Sequence, residues 1–286
     1  MTASESAILL IYCPDKAGLV AQVTDFLYQH QGNILHLDQH VDRQENVFFM
    51  RVEWDLAGFT IAKDEIAESF TPLAETHQMT WQLHFSTDRL RMVVFVSKQS
   101  HALYDILSRW HAGEFKVDIP MIISNHETLR PVAEQFNIPF EVVSVTKDTK
   151  AEAEAQQLAL LQDANPDVII LARYMQILSD NFVSHYPNQI INIHHSFLPA
   201  FVGAKPYHQA FKRGVKIIGA TSHYVTADLD AGPIIDQNVT RVSHKESVKE
   251  MVRKGKDLEK TVLSNAIYLH LQHRILVYHN KTVIFD

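Results

Sequence analysis

Residues 168–199 read VIILARYMQILSDNFVSHYPNQIINIHHSFLP. Two short apolar runs, Val168 to Ala172 and Ile190 to Ile193, flank a stretch from Leu178 to His185 with helical spacing. Each run is of strand length and apolar at consecutive positions. A strand of that kind is buried on both faces, which belongs to a parallel sheet with helices on either side. Upstream, Leu90 to Val96, Val117 to Ser124 and Phe140 to Val145 read as further strands. Helices over Ala102 to Trp110, Thr128 to Phe136 and Ala151 to Asp163 alternate with them, Pro131 falling in a first turn where its missing N–H costs least. Downstream, Val215 to Val225 and Pro233 to Val239 read as two extended segments around a turn. Ser247 to Tyr278 reads as a long helix, broken or frayed near Gly255. The alternation predicts an α/β unit with a mostly parallel sheet over residues 87–286.

The first 86 residues follow another pattern. Strands are expected at Ala7 to Cys13, Ile34 to His40, Asn46 to Trp54 and Met79 to Phe85. One helix carries Leu19, Val23 and Leu27, opens at a turn with a cap-like Asp15 and ends at Gly32-Asn33; a second spans Ile61 to Leu73. The order βαββαβ puts two helices on one face of an antiparallel sheet, a ferredoxin-like arrangement, and leaves the other face to water or a partner. The polar joint Ser86-Thr87-Asp88-Arg89 separates the two units.

Composition narrows the function. The chain of 286 residues is 46% hydrophobic and 21% charged, ordinary for two globular domains. A net charge of -7 disfavours a nucleic-acid partner. No apolar run reaches the roughly 18 residues that cross a bilayer, and the N-terminal apolar stretch has no basic residues ahead of it, so no membrane partner is expected. The single cysteine, Cys13, cannot form an internal disulfide, and a cytoplasmic setting is expected.

Ligands of open α/β sheets gather at the carboxyl ends of the strands. The first strand of the second unit is followed by Ser97-Lys98-Gln99-Ser100, which is no phosphate loop. The segment ending at Asn192, His194 and His195 is the densest signal, with Asn192 and His194 on one side of the strand and Ile191 and Ile193 on the other. The pair either cap each other or do chemistry. A second signal is Thr226-Ala227-Asp228-Leu229-Asp230-Ala231-Gly232-Pro233, whose acids are either turn residues or partners of His194. An amide donor, a histidine and a carboxylate suit attack on a carbonyl carbon by water or an amine. A metal is the competing account, from His194, His195, His208, His223 and Asp230, but successive histidines on a strand point to opposite faces and no HExxH or paired CxxC is present.

Asn192-Ile193-His194-His195-Ser196-Phe197-Leu198-Pro199, with Asp230-Ala231-Gly232-Pro233 following, closely resembles the formyltetrahydrofolate-dependent formyltransferase family. Gly203, His208, Gly219 to Tyr224 and Gln237 match as well. The first unit, through Asp15-Lys16-Ala17-Gly18-Leu19-Val20 and Gly32-Asn33-Ile34, resembles an ACT domain, with Lys-Ala where Arg-Pro is usual. The resemblance implies an ACT domain over 1–86 and a formyltransferase-like catalytic domain over 87–286. It makes Asn192, His194 and Asp230 the catalytic residues. It puts a pterin-binding wall at Arg173, Tyr174, Met175, Ile177 and Leu178, with His195, Ser196, Gly203, Thr226 and Asp228 as further substrate-binding residues. Read from the residues alone, Arg173 is equally a surface cation, and Met175, Ile177 and Leu178 equally core.

The resemblance further implies hydrolysis of 10-formyltetrahydrofolate to formate and tetrahydrofolate, in one-carbon metabolism and purine biosynthesis. The folate is the substrate, and no cofactor or metal is implied. Transfer of the formyl group to an amine such as glycinamide ribonucleotide is the alternative. Ser97-Lys98-Gln99-Ser100 in place of a Gly-rich phosphate loop, and His195 where transferases carry Pro, favour hydrolysis. The ACT resemblance implies a homo-oligomer, dimer or tetramer, and leaves an amino-acid effector open.

Overall fold

A buried strand shows itself by its apolar run, and Leu90–Val96 and Val168–Ala172 come out residue for residue as strands. The computed structural model describes residues 5–200 and 206–285. The chain divides into two units. One holds the chain through Asp88, with Gln272–Leu276 and the end of the chain from Val283; the other holds Arg89–Leu271 and Val277–Thr282.

In the first unit β1 (Ser6–Pro14), α1 (Leu19–Gln29), β2 (Asn33–Asp42), β3 (Val47–Asp55), α2 (Ile66–Thr76) and β4 (Thr80–Phe85) follow in the expected order. The sheet runs β2-β3-β1-β4, with antiparallel pairs throughout. Leu9 and Ile11 of β1, Met50 and Val52 of β3 and Leu19, Val23 and Leu27 of α1 close one core with Phe70 of α2. Two local expectations differ. The residue before α1 is Gly18, with no side-chain cap, while the Asp15 N–H donates to the Asn46 carbonyl. The left-handed residue after α1 is Gln31, at φ 60, not Gly32 or Asn33.

The second face of this sheet is not left to water. Ile8, Leu10 and Phe49 on that face are buried. The segment from Gln272, expected to be helical, lies against it: Arg51 Nε donates to the His273 carbonyl at 3.0 Å, and the rings of His84 and His273 stack at 3.7 Å.

In the second unit the elements are β5 (Leu90–Val96), α3 (His101–His111), β6 (Val117–Asp118), β7 (Ile122–Ser124), α4 (Arg130–Gln135), β8 (Phe140–Val142), α5 (Lys150–Ala164), β9 (Val168–Ala172), α6 (Asp180–Ser184), β10 (Ile190–His194), α7 (Pro206–Arg213), β11 (Ile217–Tyr224), β12 (Ile234–Arg241) and α8 (Val248–Leu271). A last hairpin, β13 (Ile275–Tyr278) with β14 (Lys281–Ile284), follows. The sheet order is β12-β11-β10-β9-β5-β7-β8, with β6 beside β5. From β10 to β8 the pairs are parallel, and β11 and β12 add antiparallel to that edge. The run Val117 to Ser124 is split into β6 and β7. Pro120 lies in the gap and has no N–H for a ladder.

Helix α8 passes Gly255 without a break. The glycine is there for space, because a Cβ at Gly255 would overlap the Tyr207 hydroxyl of α7. Gly255→Ala is expected to cost about 1–3 kcal/mol as an overpacked contact, although alanine is the better helix former. Urea denaturation of the two proteins checks this; an unchanged or raised midpoint would show that the helices have room to separate.

Candidate active site

Side chains from two segments distant in the sequence meet where β10 and the β11–β12 turn approach each other. Asn192 and His194 share a face of β10, two residues apart. Asp230 belongs to the turn after β11. Its backbone is left-handed at φ 55, and the Ala231 N–H closes the turn on the Asp228 carbonyl. Gly232 lets the returning strand pass close to β11: a Cβ there would overlap the Tyr224 carbonyl. The turn thereby brings Asp230 Oδ2 to 3.2 Å from His194 Nδ1.

The other nitrogen, His194 Nε2, lies 2.8 Å from Ser196 Oγ, whose own hydroxyl donates to the Ala200 carbonyl at 2.7 Å. Both ring nitrogens of His194 therefore face acceptors, a carboxylate on one side and a hydroxyl lone pair on the other. The loop after β10 is pinned to β11 by Thr221, whose hydroxyl donates to the Ser196 carbonyl and accepts from the Leu198 N–H, while Gln237 Nε2 donates to the Leu198 carbonyl. His223 completes the group, with Nε2 3.3 Å from Asn192 Nδ2 and 3.7 Å from Asp230 Oδ1. Burial raises the Asp230 carboxyl, but the His194 and His223 rings beside it outweigh that and hold the group well below the usual carboxylate range. Asp230 is thus an anion at neutral pH.

These residues open on a cavity of about 710 Å³. One side is the expected wall. Arg173, Tyr174, Met175, Ile177 and Leu178 all line it. Met175 and Ile177 are exposed to it and are not core, whereas Leu178 packs inward and Tyr174 accepts a hydrogen bond from Gln157 Nε2 at 2.8 Å. Thr226 lines the cavity. Asp228 is not among its lining residues and serves the turn through its carbonyl. Ser196 lies behind His194, on a smaller cavity of about 120 Å³. Gly203 falls outside the described residues.

The cavity also holds a buried charge cluster in which Arg173, from the expected wall, meets residues that were not expected at the site. Glu259 of α8 is 1% exposed. It accepts from the Tyr207 hydroxyl at 2.7 Å and lies 2.7 Å from His101 Nε2 and 3.5 Å from Arg173 Nε. Arg173 is therefore no surface cation; it sits at the end of β9 with a left-handed backbone, φ 63, and its Nε and Nη1 are buried without a hydrogen bond among the described residues. His195 stands between the two groups, its ring 5.3 Å from that of His194 and 6.0 Å from that of Tyr207. The two histidines do not point to opposite faces, because strand geometry ends at His194. Burial, and then the Arg173 charge, push the His195 pKa down to about 4, so the ring is neutral at pH 7. Among the described residues no three His, Cys, Asp or Glu side chains are grouped to hold a metal ion.

The sequence alone marks none of Glu259, His101 and Tyr207 as site residues, and it offers His223 only as a candidate metal ligand within the matching segment Gly219 to Tyr224. Glu259 had a signal: it interrupts the buried row Met251, Gly255, Leu263, Ile267 at four-residue spacing, where an acid needs a partner. The place of His223 beside Asn192 needed the strand register.

The family model for formyl transferase matches residues 90–267, and that for the ACT domain matches residues 7–66. Fold and site together therefore define a formyl transferase-type catalytic unit behind an ACT domain. The formyltetrahydrofolate deformylase of Synechocystis is 55% identical, over 98% of this chain and 98% of that protein. The protein of the same name from Bacillus subtilis is 47% identical over 97% and 93%. A crystal structure of a formyltetrahydrofolate deformylase from Pseudomonas syringae superposes with a TM-score of 0.98 at 48% identity, covering 100% of this chain and 96% of that one. A glycinamide ribonucleotide transformylase from Symbiobacterium toebii reaches a TM-score of 0.66 at 28% identity and covers 72% of this chain and 98% of that one. The chain belongs to the formyltetrahydrofolate deformylase family.

Proposed function

We propose that the cavity binds 10-formyltetrahydrofolate and that the site hydrolyses it to formate and tetrahydrofolate. One observation carries the choice of water over an amine: the likeness to the deformylases runs through both units, whereas that to the transformylase covers 72% of this chain. The pterin lies along the Arg173–Leu178 wall with the formyl group toward β10. Asn192 donates an N–H to the formyl oxygen. Asp230, an anion held beside His194, orients a water against the formyl carbon.

As the water's oxygen bonds to that carbon, one of its protons passes to Asp230 and the formyl oxygen becomes an oxyanion held by Asn192 and His194. The C–N bond then breaks, N10 takes the Nδ1 proton of His194, and the proton on Asp230 returns to His194 across their contact. Formic acid leaves and ionises to formate. The depressed pKa of Asp230 makes it a weak base that gives its proton back readily. His195, neutral and packed beside His194, and Ser196, behind it, hold the ring in place.

The reading places the reaction in one-carbon balance and formate supply for purine synthesis, in the cytoplasm. It also carries a homo-oligomer, dimer or tetramer, formed through the first unit, which the ACT match over residues 7–66 supports, and it leaves an amino-acid effector on that unit open. Among the described residues no helix is long and apolar enough to cross a membrane.

The test is incubation with 10-formyltetrahydrofolate and no amine. Formate and tetrahydrofolate should appear in equal amounts, at a rate that added glycinamide ribonucleotide leaves unchanged. Formate release that is absent until the amine is added would assign the chain to transfer.

A further inference from the structure

His223 is 2% exposed and lies on β11 directly across the ladder from Asn192 of β10. Its Nδ1 is 2.9 Å from the Tyr224 carbonyl oxygen. A carbonyl only accepts, so Nδ1 carries the ring proton, and in the neutral ring Nε2 is left with a lone pair. The group facing that lone pair at 3.3 Å is the Asn192 carboxamide. An amide presents either its oxygen or its NH2, and beside a lone pair only the NH2 is attractive. His223 thus decides which way round the Asn192 amide stands.

We infer that His223 is a positioning residue for the reaction: through its Nε2 lone pair it fixes the Asn192 carboxamide so that an N–H, rather than Oδ1, meets the formyl oxygen. The inference rests on the role given above to Asn192. One amide hydrogen goes to His223, and the second is free for the substrate. Without the lone pair the carboxamide turns over at little cost, and an oxygen then faces the developing oxyanion, a repulsive contact. A ring protonated on both nitrogens would do the same, since its Nε2–H would repel the NH2 and turn to Asp230 Oδ1, 3.7 Å away. The bond to the Tyr224 carbonyl is thus as necessary as the contact with Asn192.

The experiment compares His223→Gln, His223→Asn and Asn192→Ala, singly and with the last two combined. All are assayed for formate release and normalised to sites titrated with tetrahydrofolate, so that unfolded protein is not counted. Gln places an acceptor oxygen near the position of Nε2; Asn reaches only as far as Nδ1. His223→Asn should lower kcat about 100-fold with KM within about threefold, the mark of a donor lost in the transition state. His223→Gln should recover at least about tenfold of that loss, because an amide oxygen also accepts. On the Asn192→Ala background, His223→Asn should add no more than about threefold, since both changes remove one interaction.

A His223→Asn protein with wild-type kcat, a Gln variant no better than the Asn variant, or a repeated 100-fold loss on the Asn192→Ala background would each overturn the inference. Wild-type kcat in Asn192→Ala alone would overturn the role of Asn192 itself.

Discussion

Asp230→Asn is expected to lower kcat for formate release by about 10³, some 4 kcal/mol of transition-state stabilisation, while the affinity for tetrahydrofolate changes by less than about threefold. The substitution is the mildest one available. Asn tolerates the left-handed backbone of position 230, keeps the side-chain shape, and can still offer an oxygen to His194 Nδ1. What disappears is the charge. Without it nothing accepts the water's proton, and the imidazolium form of His194 has no counter-ion. The wall from Arg173 to Leu178, proposed to hold the pterin, lies on another loop of the cavity, which is why binding is expected to survive. Steady-state kinetics with equilibrium titration of tetrahydrofolate separates the two effects. Near wild-type turnover in the variant would remove Asp230 from the mechanism.

Glu259→Gln should show its main effect on stability, a loss of about 3–5 kcal/mol, because it strands the buried Arg173 guanidinium. Among the described residues Arg173 meets no other carboxylate, and its Nε and Nη1 have no hydrogen bond. The pH dependence follows from the carboxyl itself. Burial raises its pKa, but the bonds from His101 and Tyr207 and the Arg173 charge outweigh that and hold it below the usual glutamate range. A group whose pKa is lower in the folded state stabilises the fold above its unfolded value and loses that contribution as the pH falls through the folded one. The gap between wild type and variant should therefore be full at pH 7 and narrow below about pH 4.5. Urea midpoints across that range measure it. A constant gap down to pH 3 would mean that Glu259 acts by shape and not by charge.

Much of this architecture was legible in the chain. Leu90–Val96 and Val168–Ala172 came out residue for residue, because each holds five consecutive buried apolar residues and is bounded by polar residues on either side. The C-terminal hairpin was not legible. Its turns use left-handed His273 and His279, at φ 50 and 54, where glycine or asparagine would have announced them, and its strands are only four residues long.

The site divides in a similar way. Asn192, His194 and Asp230 stand in two motifs whose residue types already suggest carbonyl chemistry. Asp228 and Asp230 look alike in sequence, and only the backbone turn decides that one carboxylate reaches His194 while the other residue closes the turn through its carbonyl. Glu259, His101 and Tyr207 come from three different helices, and no local pattern links them; their meeting is a product of packing.

That water is the direct nucleophile is the central claim, and isotope labelling tests it most directly. A single turnover with enzyme in excess, run in H2¹⁸O, should give formate carrying one labelled oxygen and leave the protein unlabelled. Formate without label, or label appearing in the Asp230 carboxylate, would contradict a water held by Asp230 and delivered to the formyl carbon.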